Sequence, residues 1–245
     1  MTKALVIIPA RYRSSRFPAK PLTDIAGKPM IQRVFEGVAQ GVDKKHVIIA
    51  TDSKKIFHLC KSFGARVEMT SSEHKSGTAR ILEVVSRHQD YDVYINVQGD
   101  EPLMNGNVIK KVLEPFKNEP YPGIVTLAKP RKDMSDFNDP NVVKVVFDQL
   151  NRALYFSRSP IPYPSNKVER WYQHIGIYAF SKFAIECISQ NNESLLSEAE
   201  NLEQLQWMEC GTGITVSICN ETLIPVDVPG DVQKVVNYLR ITGAV

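Results

Sequence analysis

The sequence lacks the glycine and cysteine patterns that mark several common enzyme classes. Its 13 glycines form neither a G-x-x-x-x-G-K-[ST] nor a G-x-G-x-x-G stretch, which argues against a Walker-type ATPase and a Rossmann dehydrogenase. The four cysteines are scattered, without a C-x-x-C pair, so neither a structural zinc site nor a redox dithiol is indicated. We therefore expect reduced thiols and a chemistry carried by other residues.

Long apolar runs and a strong net charge are missing as well. The apolar run at residues 4–10, "ALVIIPA", is too short for a membrane span and follows no basic segment typical of a signal peptide. We expect a cytoplasmic protein without membrane insertion. The formal net charge is only +3, which argues against a general nucleic-acid binder.

Positive charge is concentrated in one loop that follows the first apolar run. Residues 6–20 read "VIIPARYRSSRFPAK", and this stretch contains Arg11, Arg13, Arg16 and Lys20. Four neighbouring cations repel each other unless an anion binds among them. Because binding residues are often carried by loops at the ends of rigid elements, we interpret this loop as an anion-binding site.

Apolar periodicity in the first half of the chain predicts strands alternating with helices. Such alternation is typical of βαβ units, so we predict an α/β fold with a mostly parallel, doubly wound sheet. The predicted strands span residues 4–10, 46–52, 66–70, 92–100 and 123–128. The predicted helices span residues 29–40, 54–64, 77–89 and 107–117.

The pattern changes after residue 129. Two strand-like runs, 141–148 and 152–159, predict an inserted β-hairpin, and the proline-rich stretch 160–170 predicts an irregular segment. We expect a single domain over residues 1–245, with the hairpin element at about 141–173. Further predictions are a strand at 174–181, helices at 181–190 and 196–210, short strands at 213–219 and 222–228, and a helix at 230–241.

Acidic residues follow several of the predicted strands. In an open parallel sheet the carboxyl ends of the strands share one edge, where ligands bind. We therefore expect the cationic loop to lie near carboxylates from distant segments, a combination that suits a polyphosphate with magnesium. The carboxylates are those of Asp52, Asp100, Asp227 and Asp231.

The motifs, taken in order, resemble those of the 3-deoxy-manno-octulosonate cytidylyltransferase (CMP-Kdo synthetase) family. The resemblance covers nearly the whole chain, and the pair "PARYRSSRFPAKPL" and "NVQGDEP" is its most specific part. The other matching stretches are "GKPMIQRVFE", "ATDS", "KSGTAR", "NVVKVVFD", "ALYFSRSPIPY", "HIGIYAF", "NLEQLQ" and "VDVPGD".

This resemblance implies a GT-A-like nucleotidyltransferase fold. It also implies that CTP and the acidic sugar Kdo react to give CMP-Kdo and pyrophosphate, with Mg²⁺ as cofactor. A homodimer formed through residues 141–173 is a further expectation, as is a place in lipopolysaccharide or capsule synthesis.

The resemblance also assigns roles to individual residues. Lys20, Asp100 and Asp227 would be catalytic, and the two aspartates would bind the metal. The CTP-binding residues would be Arg11, Ser14, Lys20, Ser76 and Gly77. The sugar-binding residues would be Arg80, Gln98, Arg158, His174, Tyr178, Glu203 and Gln204.

Four positions depart from the family pattern. Ala19 stands where the family has glycine, Ala79 where it has an acidic residue, Gln206 where it has arginine, and Gly230 where it has an acidic residue. The true acid could therefore be 8-amino-Kdo or a sialate-like sugar. Two further hypotheses are a catalytically weak CTP-binding regulatory homologue and a GT-A glycosyltransferase, which would carry a D-x-D motif.

Overall fold

The structure is a computed structural model that describes residues 2–13, 17–74, 76–118, 121–165, 169–190 and 194–244. Short 3₁₀ helices lie at Lys20–Leu22, Lys44–His46 and Glu114–Lys117. The strands are β1 (Ala4–Pro9), β2 (Asp24–Ile25), β3 (Lys28–Pro29), β4 (Val47–Thr51), β5 (Arg66–Met69), β6 (Val93–Asn96), β7 (Ile124–Arg131), β8 (Lys144–Phe147), β9 (Ala153–Ser157), β10 (Trp171–Ser181) and β11 (Ile214–Ile218). The α-helices are α1 (Met30–Val38), α2 (Lys54–Ser62), α3 (Gly77–Arg87), α4 (Gly106–Leu113), α5 (Met134–Asn138), α6 (Lys182–Ile188), α7 (Leu195–Glu200), α8 (Glu203–Glu209) and α9 (Pro229–Ile241).

The chain divides into two compact units. The first unit comprises residues 3–110 and 222–245, and the second comprises residues 1–2 and 111–221. The prediction of a single domain over 1–245 stays a prediction.

The first unit contains four adjacent parallel strands. β1 pairs with β6 on one side and with β4 on the other, and β5 continues the sheet beyond β4. The residues of β1 from Leu5 to Ile8 have no exposed surface, as expected for a strand covered on both faces. The ends of β1, β4 and β6 therefore open onto one edge, as the sequence pattern predicts.

A second apolar cluster in the first unit attaches the C-terminal helix. Val226 is fully buried in this cluster together with side chains from both sequence segments of the unit. Burying one such side chain stabilises the fold by about 1.5–3 kcal/mol. Packing therefore fixes the position of Val226, and Asp227 is the next residue. The other buried members are Ile25, Met30, Leu103, Val235 and Leu239.

The second unit combines a mixed sheet with short helices. β7 pairs parallel with β11 and antiparallel with β10. The predicted hairpin is confirmed, because β8 and β9 pair antiparallel, and β8 also joins β10 through Gln173 and Lys144. The predicted irregular stretch has neither helix nor strand in its described part, residues 160–165 and 169–170.

Two element predictions are wrong. The single helix expected over 196–210 is two helices, because Asn201 adopts a left-handed φ of 52° between α7 and α8. Asparagine tolerates this conformation better than most residues and often ends a helix there. The strand expected over 222–228 is absent: this described segment has no ladder, Pro225 lacks an N–H, and Val226 makes a backbone bond to Asp100 instead.

Candidate active site

Backbone contacts of the cationic loop fix the position of Lys20. The Ala19 N–H donates to the carbonyl of Tyr12 over 2.9 Å and closes the loop. Ala19 itself has a left-handed φ of 56°, and the 3₁₀ helix with Pro21 begins at the next residue. Only glycine adopts such a φ without a steric cost, which gives a physical reason for the glycine expected at this position.

Asp100 lies close to the end of β1 because the backbone that follows β6 runs very near the backbone of β1. After β6, the Val97 N–H donates to the carbonyl of Ile7 over 3.1 Å. A Cβ added at Gly99 would lie 2.6 Å from the carbonyl oxygen of Pro9. Glycine is therefore required at residue 99, and it lets Asp100 emerge beside the cationic loop.

One backbone hydrogen bond brings Asp227 to the same place. The Val226 N–H donates to the carbonyl of Asp100 over 2.9 Å, although 126 positions separate the two residues in the sequence. The neighbouring Asp231 caps α9 by accepting from the N–H groups of Asp227 and Val228 over 3.1 Å each. Asp231 is thus a helix cap, which leaves Asp227 as the acidic group of this segment at the site.

Lys20 joins the two candidate metal ligands. Its Nζ donates to Asp100 Oδ2 over 2.6 Å and to the carbonyl of Val226 over 2.8 Å, and it lies 3.8 Å from Asp227 Oδ1. A single cationic group therefore contacts both carboxylates. This arrangement fits a small hard cation, since Mg²⁺ binds to one or two carboxylates and takes its other ligands from phosphates and water.

A third carboxyl group lies beside this pair and was not predicted from the sequence. Burial, and then the charges of Asp100 and Asp227, raise the pKa of Glu101 to about 8. Its Oε2 is enclosed and has no hydrogen-bond partner among the described residues. The adjacency of the acidic residues in "GDEP" was the only signal for it. No group of three or more potential metal ligands occurs in the described part of the chain.

A cleft of about 200 Å³ in the first unit gathers most of the residues predicted to bind CTP. Ser76 lines it and also caps α3 by accepting from the Ala79 N–H over 3.2 Å. Ser14 falls outside the described residues. The lining comprises Pro9, Ala10, Arg11, Lys20, Pro21, Ser76, Gly77, Arg80, Gln98, Gly99, Asp100 and Asp227.

Arg80 is fixed at this cleft by a dense set of contacts. It is 2% exposed and donates to Asp52 Oδ2 over 3.1 Å, to Thr70 Oγ1 over 2.5 Å and to the carbonyl of Ser71 over 3.1 Å. The missing carboxylate at Ala79 therefore does not leave the guanidinium without partners. The sugar-binding role of Arg80, like that of Gln98, stays a prediction.

The other predicted sugar-binding residues belong to the second unit. Arg158 donates to the carbonyls of Glu200, Pro140 and Asn201 at 2.7–3.3 Å. These bonds use three of the five N–H groups that a guanidinium carries. Its backbone N–H bonds to Glu200 Oε2 over 2.8 Å, and Lys144 donates to its carbonyl. Arg158 is thus held in place by backbone contacts.

His174, which is partly buried, and Tyr178, which is buried, belong to one aromatic cluster. Their ring centroids are 5.5 Å apart, whereas residues i and i+4 of a regular strand would be about 13 Å apart. A register shift in β10 between Ile175 and Tyr178 accounts for the difference. His174 Nε2 shares a hydrogen bond of 3.0 Å with Thr126 Oγ1, a partner that was not predicted.

Burial changes the ionisation of this cluster. It lowers the pKa of His174 to about 3 and, together with the charge of Glu203, raises the pKa of Tyr178 well above its ordinary value. Both side chains are therefore neutral near pH 7. Gln204, on α8, has a buried Nε2 with no hydrogen-bond partner among the described residues, and this donor fits an oxygen-rich ligand.

Comparison with known proteins agrees with these observations. The cytidylyltransferase family profile matches residues 5–214. The 3-deoxy-manno-octulosonate cytidylyltransferase of Parabacteroides distasonis is 43% identical over 98% of this chain and 99% of its own length. The enzyme of the same name from Escherichia coli is 41% identical over 96% and 95%, respectively.

A solved structure confirms the predicted fold. The structure of a CMP:2-keto-3-deoxy-manno-octonic acid synthetase complexed with CTP superposes with a TM-score of 0.93 at 40% identity, over 98% of this chain and 100% of the other. In the described part of this chain, no helix has the length and apolar character needed to cross a bilayer. The chain is therefore a nucleotidyltransferase and belongs to the 3-deoxy-manno-octulosonate cytidylyltransferase family.

Proposed function

We propose that the protein transfers the CMP group of CTP to the anomeric hydroxyl of Kdo and releases pyrophosphate. The observation that carries the proposal is the contact of Lys20 Nζ with both Asp100 and Asp227 at the edge of the parallel sheet. Phosphoryl-type transfer depends mainly on positioning and on neutralising charge. This cluster supplies both from three separate segments.

The charged groups that line this cleft have separate roles in the proposed reaction. Arg11 and Lys20 bind phosphate oxygens through charge-assisted hydrogen bonds. Asp100 and Asp227 hold Mg²⁺, which supplies charge neutralisation at the phosphates when it is bound. The N-terminus of α3, at Gly77, faces Pro9 in the same cleft and provides N–H groups for the nucleoside.

Polar groups of the second unit support binding of the acidic sugar. An arginine fork matches a carboxylate, and Arg158 retains donor capacity beyond its three backbone bonds. The buried Nε2 of Gln204 supports recognition of a hydroxyl or ring oxygen. His174 and Tyr178 are neutral, so they can contribute hydrogen bonds or shape and do not repel an anionic substrate.

The decisive experiment is a pyrophosphate-release assay with Mg²⁺ over a panel of substrates. CTP, UTP, dTTP and ATP are each combined with Kdo, 8-amino-Kdo and N-acetylneuraminate, and the products are identified by mass spectrometry. We expect CMP-Kdo and pyrophosphate from CTP with Kdo. CTP binding without pyrophosphate release from any acid would overturn the proposal and favour the regulatory alternative.

Removal of Lys20 provides a test for the nucleotide site. Lys20→Ala should weaken CTP binding about tenfold or more, because a charge-assisted phosphate contact is lost. Calorimetry in EDTA isolates this contact from metal binding, and Kdo binding should survive. The matched control is Lys28→Ala, which removes an exposed lysine paired with Glu36. Equal loss of CTP and Kdo binding in Lys20→Ala would indicate a purely structural lysine.

We also propose that the protein is a cytoplasmic homodimer that serves lipopolysaccharide or capsule synthesis. Exposed apolar side chains in residues 141–173 support the dimer: Leu150 is 70% exposed, Leu154 60% and Tyr163 84%. Such side chains suit an interface better than open solvent. Light scattering of the purified protein, compared with a Leu150→Lys, Leu154→Lys variant, tests this part.

A further inference from the structure

The Lys20 ammonium occupies the place in the first unit where a metal ion would contact Asp100 and Asp227. Its distances of 2.6 Å to Asp100 Oδ2 and 3.8 Å to Asp227 Oδ1 are those of an ion-paired cation. The side chain of Lys20 is 14% exposed, against 29% for Asp100 and 47% for Asp227. The Lys20 side chain is therefore the most enclosed of the three.

The backbone stabilises this position. The carbonyl of Val226 accepts a third contact from Lys20 Nζ over 2.8 Å, while the N–H of Val226 bonds to the carbonyl of Asp100. On the other side, Ala19 and the 3₁₀ helix fix the start of the Lys20 side chain. The lysine is thus built into the carboxylate pair from both sides and does not lie loosely over it.

Two cations cannot share these carboxylates at such distances. An added divalent ion would lie within a few ångströms of the ammonium, where the repulsion between like charges is large in a partly enclosed site. With Asp100 and Asp227 as its protein ligands, a divalent ion also lacks the further oxygen ligands that phosphates provide. Displacing the ammonium requires another anion to receive it, and a triphosphate is such an anion.

We propose that Lys20 is a built-in counter-ion that blocks divalent metal binding at Asp100 and Asp227 until a nucleoside triphosphate draws it away. Metal binding at this site is then coupled to nucleotide binding, and the free protein is protected from binding a divalent ion unproductively. The inference rests on the proposed function, because it takes Asp100 and Asp227 as metal ligands.

The test is a titration of the nucleotide-free protein with Mn²⁺, in which the electron paramagnetic resonance signal measures the concentration of the free ion. Wild type should bind Mn²⁺ weakly, and Lys20→Met should bind it about tenfold or more tightly. Lys20→Gln, which keeps a donor for the Val226 carbonyl, should show the same direction. Lys28→Met, which removes one charge elsewhere in the first unit, should behave as wild type.

A double variant locates the bound ion. Asp100→Asn added to Lys20→Met should abolish the gained Mn²⁺ binding.

If both Lys20 variants fold with the wild-type unfolding temperature and bind Mn²⁺ no better than wild type, the counter-ion role is overturned. The pyrophosphate assay of wild type decides the proposed function separately, since an active wild type with unchanged Mn²⁺ binding in the variants rejects only this inference.

Discussion

Two polar clusters of the molecule differ in charge: the groups of one are ionised, and those of the other are neutral. In the first unit, Lys20, Asp100 and Asp227 form a partly exposed group of ion pairs. In the second unit, the partly buried His174 and the buried Tyr178 lie among aromatic side chains, and burial keeps both neutral. The first cluster can exchange one ion for another at little cost of solvation, whereas the second can bind only through shape and neutral hydrogen bonds.

This difference matches the two halves of the proposed reaction. A triphosphate and a metal need charges that can rearrange, and such charges must stay near water because full burial of ions is costly. A sugar presents hydroxyl groups in a fixed stereochemistry, which a rigid, dry surface discriminates well. Substitutions of single residues can test this division between the two clusters.

The largest expected effect follows removal of a carboxylate from the first cluster. Asp100→Ala should lower turnover about 1,000-fold or more, equivalent to about 4 kcal/mol of transition-state stabilisation, because a metal ligand is lost. The fold should persist, since Asp100 is partly exposed. Pyrophosphate release and thermal unfolding measure the two effects. The matched control is Asp90→Ala, which removes an exposed aspartate, and near-normal turnover in Asp100→Ala would refute the metal assignment.

In the second unit, loss of a buried cation should affect stability. Lys144 has no exposed surface and donates to the carbonyls of Asp139, Val142 and Arg158. Lys144→Met should destabilise the protein by about 2–4 kcal/mol, because several buried carbonyls lose their donor. Urea unfolding measures the change.

Lys129 provides the comparison for Lys144. It lies in the same unit and donates to one carbonyl, that of Glu221, over 3.0 Å. Lys129→Met should cost about 1 kcal/mol. A cost for Lys144→Met no larger than that of Lys129→Met would show that the carbonyl contacts of Lys144 contribute little.

The neutral cluster should make stability depend on pH. His174 has a folded pKa of about 3, below the ordinary value of about 6.5 for an unfolded chain. Its contribution is therefore fully present above pH 6.5 and is lost as the pH falls toward 3, because only the unfolded state takes up the proton. Wild type should lose about 2 kcal/mol between pH 7 and pH 5 through this group alone.

A variant isolates that contribution. His174→Gln should flatten the pH dependence of urea unfolding between pH 7 and 5 by the same amount. His58→Gln is the matched control, because His58 lies exposed on α2, and its pH dependence should follow wild type. An unchanged slope in His174→Gln would mean that His174 takes up a proton as readily in the folded protein as in the unfolded chain.

The smallest effect concerns the backbone that supports the first cluster. Ala19→Gly should stabilise the protein by about 0.5–1 kcal/mol, since it relieves a left-handed φ of 56° at a modest entropic cost. The control Ala39→Gly, at a right-handed φ of −65°, should destabilise instead. A loss of stability in Ala19→Gly would show that the loop conformation is not strained.

Local patterns in the chain were enough to predict most of the elements and the side of the sheet where ligands bind. Short uninterrupted apolar runs such as that of β1 are typical of covered strands, and helical spacing identified α1, α2 and α3. The motif match pointed to Lys20, Asp100 and Asp227 through residue identity and order alone. These features depend on neighbouring residues, whose chemistry a sequence displays directly.

Other features arose only when distant segments met. The burial of Glu101, the bond between Val226 and Asp100, and the register shift that brings His174 to Tyr178 depend on contacts between segments remote in the sequence. The occupation of the carboxylate pair by Lys20 belongs to the same class. Solvation and the distances between charges set these properties, and both are defined by the packed chain, because no local pattern specifies which groups water can still reach.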